Sequence, residues 1–232
     1  MNHTEGPLGS SVHDAAQRAA DIIDVLVPRP GSRDEAARLA MPEPPEERQR
    51  LIAVLRAYGE PGPIEISGAD LVALREAAID LRDVFAATDA ASAASRINAL
   101  LAGRAHPPRL TTHGGESGWH LHVDSRDDAP WAEWFLTSSC LALAVLLTER
   151  QAPPGGFCGS FSCGKPFVNV GRGSARRYCS TACGTRERVA AHRHPRAEPD
   201  APVPSVPDRS EAGAPVPSAP CRQRPGNRPA DW

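Results

Sequence analysis

Residues 158–183 read CGSFSCGKPFVNVGRGSARRYCSTAC, and this stretch holds four of the six cysteines of the protein. The cysteines form two pairs, Cys158-x4-Cys163 and Cys179-x3-Cys183, with fifteen residues between the pairs. A four-residue knuckle can present two sulfurs to one ion, and a helix that begins just after the third cysteine would let the second pair reach the same point. Zinc prefers four such ligands in a tetrahedron. The spacing therefore predicts one structural Zn²⁺ held by all four thiolates, with no open position.

Other interpretations of the four cysteines are unconnected buried thiols, an iron–sulfur cluster and a zinc-dependent thiol switch. The first twenty residues are polar and do not resemble a signal peptide, so a cytoplasmic location is expected. Thiols stay reduced there, which favours metal binding over disulfides. Cys140 lies in an apolar helical run and is expected to be a core thiol, whereas Cys221 lies in a polar tail.

The net charge of −2 hides an uneven distribution along the chain. Residues 1–157 carry 14 basic against 22 acidic residues, a balance of −8, and residues 158–194 carry seven against one, a balance of +6. Residues 195–232 are balanced at five against five. An acidic body joined to a basic module indicates an anionic partner at the basic end.

Upstream of the cysteines, apolar residues recur at the spacing of amphipathic helices. Ser67 is placed to cap the third of these helical segments, and Gly103 to stop the fourth. Residues 28–45 are rich in Pro, Arg and Glu and predict a loop with a short helix. The helices are expected over residues 12–27, 46–58, 67–85 and 89–101.

A change of period then predicts a β-hairpin from Arg109–Thr112 and Trp119–Val123. The most apolar stretch, Trp131–Leu147, is short for a membrane span and contains Glu133. We therefore expect a buried core helix that opens at residue 130 and ends near residue 150, and no membrane association. A Pro/Gly hinge over residues 151–156 would lead into the cysteine module.

Half of the eight histidines surround the expected hairpin: His106, His113, His120 and His122. Strand alternation would put His120 and His122 on one face, so a second metal or ligand site is one interpretation. Solvated strand residues are the default interpretation. His192 and His194 follow the last cysteine, and solvent-facing residues at a helix end are favoured there over spare zinc ligands.

These patterns predict an α+β protein in four parts. Residues 1–10 would be a disordered leader, residues 11–152 a mostly helical domain with a small hairpin, and residues 156–194 a zinc finger that ends in a helix. Residues 195–232 contain ten prolines and few large apolar groups, so they cannot offset the entropy of ordering and are expected to be disordered.

The residues in and around the cysteine pairs form a series at fixed spacing: Cys158–Cys163, Phe167, Arg172, Arg176–Ser180 and Cys183–Arg186. The series resembles the CGNR zinc finger family, and the lengths between matched positions agree without gaps. Tyr178 stands where the family has Trp, Thr185 where its naming tetrad has Asn, and Asn169 where it has Asp. Gly171 and Gly173 replace a Ser and an Asn. The resemblance implies a small treble-clef or ribbon-like zinc finger.

The upstream part is similar to the usual partner of that finger, the ABATE domain, a mixed α/β domain proposed to sense a ligand. The shared features are Leu71–Phe85, Ile97–Leu101, Arg109-Leu110, the Trp119 strand and the apolar helix before the finger. Members are described as transcription regulators. The resemblance therefore implies an unidentified small-molecule effector for residues 11–152.

The arginines of the module would first contact the phosphates of double-stranded DNA. The candidates are Arg172, Arg176, Arg177, Arg186 and Arg188, of which about half are expected to be structural. One finger offers a small surface, so a homodimer is expected. The alternative is a protein-interaction or thiol redox-sensing module without DNA binding. An enzyme is not expected, because the chain has no nucleophile motif, phosphate loop or open-shell metal motif.

Overall fold

The computed structural model describes residues 7–28, 45–60, 62–115, 117–170 and 176–193. Within these residues the chain is mostly helical, with four short strands in two hairpins. In chain order the elements are α1 (Pro7–Leu26), α2 (Pro45–Ala57), α3 (Gly68–Phe85), α4 (Ala90–Arg104), β1 (Arg109–Thr111), β2 (His120–His122), α5 (Trp131–Arg150), β3 (Gly155–Phe157), β4 (Pro166–Val168) and α6 (Thr181–Arg193). A 3₁₀ turn, His113–Gly115, lies between β1 and β2.

The apolar helix α5 lies at the centre of the body and packs against α1, α3 and α4. By length and composition alone it could cross a membrane. Phe135, Leu136, Cys140 and Leu143 are nevertheless each at most 1% exposed in the common core. The predicted core helix and the predicted core thiol are therefore confirmed. Burial raises the pKa of the Cys140 thiol to about 12, which keeps it protonated and unreactive.

The expected helices are present, with two differences at their ends. Helix α1 begins at Pro7, inside the segment expected to be a loose leader. Proline suits the first turn of a helix because its missing N–H would have no helical partner there. Helix α4 continues through Gly103 to Arg104, so the predicted glycine stop was wrong. The helix ends before a Pro-Pro pair, and a residue that precedes proline is disfavoured in helical conformation.

The predicted cap of the third helix is confirmed. Ser67 Oγ accepts a hydrogen bond from the Asp70 amide at 3.1 Å, and Asp70 Oδ2 accepts one from the Ser67 amide at 3.0 Å. Each side chain thus satisfies a backbone donor that the helix leaves without an internal partner. The short helix expected within residues 28–45 and the tail after residue 195 lie outside the described residues.

Each pair of strands forms an antiparallel hairpin. In the first, Arg109 pairs with His122 and Thr111 with His120. In the second, Gly155 pairs with Val168 and Phe157 with Pro166, so the segment expected to be a hinge contributes to a strand. A Cβ at Gly155 would lie 2.5 Å from the Phe85 ring, which is closer than any side chain tolerates. This glycine therefore serves close packing between the finger and the body rather than hinge motion.

Candidate metal centre

The first two cysteines lie on the connection between β3 and β4. The Cys158 amide donates to the Lys165 carbonyl at 2.8 Å, and the Cys163 amide donates to the Ser160 carbonyl at 3.0 Å. Gly164 then takes a φ of +62°, a conformation that residues with a Cβ rarely adopt. These contacts fold the chain back on itself, so both sulfurs point to one side of the knuckle.

The other two cysteines lie at the start of α6. The helix begins at Thr181, and Ser180 Oγ accepts a hydrogen bond from the Cys183 amide at 3.2 Å, as an N-capping serine does. Cys183 therefore lies in the first turn and Cys179 just before it, as the sequence predicted. The cap fixes the direction in which the Cys183 side chain leaves the helix.

The four sulfur atoms lie within 4.8 Å of one another. The Sγ atoms of Cys163 and Cys179 are 3.6 Å apart, and those of Cys179 and Cys183 are 3.7 Å apart. Two thiolates bound to one tetrahedral zinc are separated by about 3.8 Å, which follows from a Zn–S bond of about 2.3 Å. All four thiols are free, and each is buried or half-buried. The donor set therefore fits one zinc ion with a closed, structural shell.

The thiols differ in how readily they ionise. The Ser180 hydroxyl lowers the pKa of Cys183 to about 7, whereas burial raises the pKa of Cys179 to about 12 and also raises that of Cys163. Bringing four thiolates together without a cation is therefore unfavourable. Zinc supplies that cation, and its binding must displace protons from the cluster. Arg186 adds positive charge, since its guanidinium lies 3.9 Å from Cys183 Sγ.

Glu187 links α6 to the knuckle, and no sequence motif predicts this contact. Its carboxylate accepts a hydrogen bond from the Ser160 hydroxyl at 2.7 Å and one from the Phe161 amide at 3.3 Å. Ser160 is only 3% exposed. The signal available in the sequence was that Glu187 is the sole acid among residues 158–194.

Asn169 and Arg176 make polar contacts that stabilise the hairpin of β3 and β4. Asn169 is 3% exposed and donates from Nδ2 to the Pro153 carbonyl at 3.2 Å, while its Oδ1 accepts from the Arg176 amide at 3.3 Å. The Arg176 guanidinium donates to the Val168 carbonyl at 2.5 Å and lies 5.3 Å above the Phe167 ring. Both residues therefore hold the finger together, and Asn169 is too buried to touch DNA.

The other candidate arginines are engaged to different degrees. Arg177 lies over the Tyr178 ring and covers Gly159, and Arg186 donates to Ser162 Oγ at 3.1 Å. Arg188 is exposed, and its side chain makes one hydrogen bond among the described residues, to Thr185 Oγ1 of its own helix at 3.1 Å. Arg172 lies outside the described residues. The four described candidate arginines thus all lie on the finger, but most of their guanidinium groups already contact other groups of the protein.

Lys165 ties the finger to the body, a role that the sequence did not predict. Its ammonium lies 2.8 Å from the Asp24 carboxylate of α1. Val168 of β4 is fully buried in the core cluster of the body. The finger is therefore packed on the helices rather than connected to them by a flexible linker.

Three histidines of the first hairpin lie close together, which the default interpretation of solvated strand residues did not predict. His113, His120 and His122 are half-buried, and one ring nitrogen of each lies within 4.8 Å of the others. The pairing of β1 with β2 and the 3₁₀ turn bring the three rings together. The position of His113 in this group could not be predicted from its spacing in the sequence. His106 stands apart from this group, 3.7 Å from Glu133. His192 is exposed as predicted, and His194 lies outside the described residues.

Four cysteines on a β-hairpin and a helix start define a zinc-binding module of the finger type. Residues 156–196 match the family model described as the CGNR zinc finger. The resemblance found in the sequence is thus confirmed for the finger, and the protein carries one structural zinc ion there. No curated protein matches the chain. The likeness of the upstream part to the ABATE domain stays a prediction.

Proposed function

We propose that the protein is a DNA-binding transcription regulator whose zinc finger contacts double-stranded DNA through α6. The observation that carries the proposal is the exposure of this basic helix. Cys183 is its one buried residue, while Arg186, Arg188, His192 and Arg193 are exposed along its length. A helix that is held on one side by the zinc shell and by Glu187, and exposed over the rest of its surface, is well placed to enter a DNA groove.

The charge distribution also indicates that the finger, and not the body, faces the DNA. Residues 158–194 carry a balance of +6, and residues 1–157 carry −8. Phosphates would be repelled by the body and attracted to the finger. The orientation of the complex would then be set before any base is contacted.

The contacts of the candidate arginines separate those that support the finger from those that are available to DNA. Arg176 supports the hairpin and Arg186 lies beside a thiolate, so loss of either would disturb the finger as well as DNA binding. Arg188 and Arg193 are exposed on α6, and we propose them as the principal phosphate contacts of the described residues. Arg172 stays a candidate from the sequence.

A single finger of this size offers little surface for specific binding, so we propose a homodimer that reads two half-sites. The body would carry the dimer contacts and the response to an effector, and the protein would act in the cytoplasm without catalytic activity. We also propose that the finger belongs to the treble-clef type, in which a knuckle and a helix start share the metal.

The test is a fluorescence-polarisation titration of the zinc-loaded protein with a mixed-sequence DNA duplex at low and high salt. We expect affinity to fall steeply with salt. The double variant Arg188→Ala/Arg193→Ala should bind more weakly, and its salt slope should be smaller by about 2, or about 1 per lost phosphate contact. Arg104→Ala is the matched control, because it removes an exposed arginine from the body.

Absence of binding at low salt, with the finger zinc confirmed by metal analysis, would contradict the proposal. It would favour the second candidate function, a protein-interaction or redox-sensing module. One observation supports a protein contact: Phe161 at the tip of the knuckle is fully exposed. Large exposed aromatic residues are enriched at protein interfaces.

A further inference from the structure

Three imidazoles converge at the first hairpin, far along the chain from the four cysteines. His120 and His122 share one face of β2, and His113 reaches them from the 3₁₀ turn. The centroids of the His113 and His120 rings are 4.8 Å apart, those of His120 and His122 are 4.8 Å apart, and those of His113 and His122 are 5.1 Å apart. His113 adopts a φ of +49°, which is uncommon for a residue with a side chain. The backbone thus holds an unfavourable conformation where the third ring joins the group.

Each ring has an oxygen acceptor near its Nδ1 atom. His122 Nδ1 lies 2.8 Å from the Asp124 carboxylate, and His120 Nδ1 lies 2.7 Å from the Gly118 carbonyl. His113 Nδ1 is farther from its acceptor, at 3.8 Å from Asp127 Oδ2. Where Nδ1 donates its proton to such an acceptor, as the distances allow for His120 and His122, the Nε2 atom can present its lone pair to a metal ion. Histidines that bind metals are oriented by this same kind of contact.

Two of these Nε2 atoms face each other. Those of His113 and His120 are 2.9 Å apart. Two imidazole nitrogens on one tetrahedral zinc are about 3.4 Å apart, given Zn–N bonds of about 2.0–2.1 Å. Small side-chain rotations would bring three nitrogens, now within 4.8 Å of one another, to that spacing.

The carboxylates behind the rings are themselves fixed. The Asp124 side chain is 3% exposed and receives the Arg109 guanidinium at 2.6 Å. Arg109 also pairs with Asp127, which accepts a hydrogen bond from the Thr111 hydroxyl at 2.9 Å. The two carboxylates offset the charge of Arg109, which would otherwise repel a cation. Solvated strand histidines would not need carboxylates that are held in place in this way.

We propose that His113, His120 and His122 form a second metal site, which binds a divalent transition ion of the zinc type through three Nε2 atoms. Imidazole is a ligand that Zn²⁺, Cu²⁺ and Ni²⁺ share. The half-buried rings leave at least one coordination position open, in contrast to the closed four-thiolate shell. Three neutral donors hold the ion less strongly than four thiolates, so this site exchanges its metal while the finger keeps its own.

The experiment counts metal ions on the full-length protein whose finger already holds one zinc. Equilibrium dialysis against excess Zn²⁺, followed by elemental analysis, should give two zinc ions per chain for the wild type. The double variant His120→Ala/His122→Ala should keep one. The matched control His106→Gln, which changes a neighbouring histidine outside the group, should keep two.

Cobalt distinguishes the two sites without removing any residue. Co²⁺ in the finger should give a thiolate charge-transfer band, and the second equivalent should add ligand-field absorption without increasing that band. Asp124→Asn tests the positioning role of the carboxylate, and we expect second-site affinity to fall about 10–100-fold. Far-UV circular dichroism of each variant checks that the body stays folded.

Two results would overturn the proposal. A wild-type protein that retains one zinc at saturation would show that the three rings form a hydrogen-bonded cluster only. A second equivalent that persists in the His120→Ala/His122→Ala variant would place the ion elsewhere in the chain.

Discussion

At the scale of the residue, Asn169 shows how burial decides the role of a side chain. By the resemblance alone it is a departure from the Asp of the CGNR zinc finger family. In the structure its amide donates to the carbonyls of Pro153 and Gly155, at 3.2 and 3.4 Å. A carboxylate has no proton to donate there. The asparagine is therefore the side chain that this backbone arrangement requires.

The variant Asn169→Asp should accordingly lower the free energy of unfolding by about 1–3 kcal/mol, because it buries an acceptor against two other acceptors. Urea unfolding of the zinc-loaded protein measures the change. Asn98→Asp, an exposed position on α4, makes the same chemical change in solvent and should cost much less. Equal losses at the two positions would show that Asn169 has no special structural role.

At the scale of the element, the helices follow rules that are local in sequence. The reciprocal hydrogen bonds of Ser67 and Asp70 begin α3 where the sequence predicts. The end of α4 is different, since Gly103 was expected to stop it and the helix continues one residue further. A single glycine in a helix costs about 1 kcal/mol, which neighbouring turns can offset, whereas the Pro-Pro pair cannot continue the helix.

Removing the cap with Ser67→Ala should reduce the free energy of unfolding by about 1 kcal/mol, because the Asp70 amide loses its acceptor. Denaturant unfolding is again the measurement. Ser95→Ala, at an exposed position inside α4, is the matched control and should leave stability unchanged or slightly raised. An equally large loss in the control would mean that the effect comes from removing a hydroxyl group and not from removing the cap.

At the scale of the whole molecule, the finger and the helical body share a boundary. Val168 is buried in the core of the body, the Gly155 backbone packs against Phe85, and Lys165 pairs with Asp24. Zinc holds the hairpin that carries β3 and β4. We therefore expect the metal to stabilise the body as well as the finger in which it binds.

Removal of zinc with a chelator should lower the melting temperature of the body as well as unfold the finger. Tryptophan fluorescence reports mainly on the body, since three of the four tryptophans lie there: Trp119, Trp131 and Trp134. Re-addition of one equivalent of Zn²⁺ should restore the original transition. An unchanged tryptophan transition after complete zinc removal would show that the two parts are energetically independent.

Features that depend on neighbouring residues were determined by the sequence itself. The zinc ligands follow from the spacing of two cysteine pairs, because a knuckle and a helix start each fix two sulfurs locally. The core helix α5 and the capped start of α3 follow from periodicity and capping, which act within a few residues.

Only the tertiary structure decided which distant groups meet. Glu187 reaches Ser160 across 27 positions, and Lys165 reaches Asp24 in another part of the chain. His113 joins His120 and His122 because a turn and a strand pairing act together. Contacts of this kind depend on how elements pack, and packing is the sum of many weak non-local interactions that no single motif encodes.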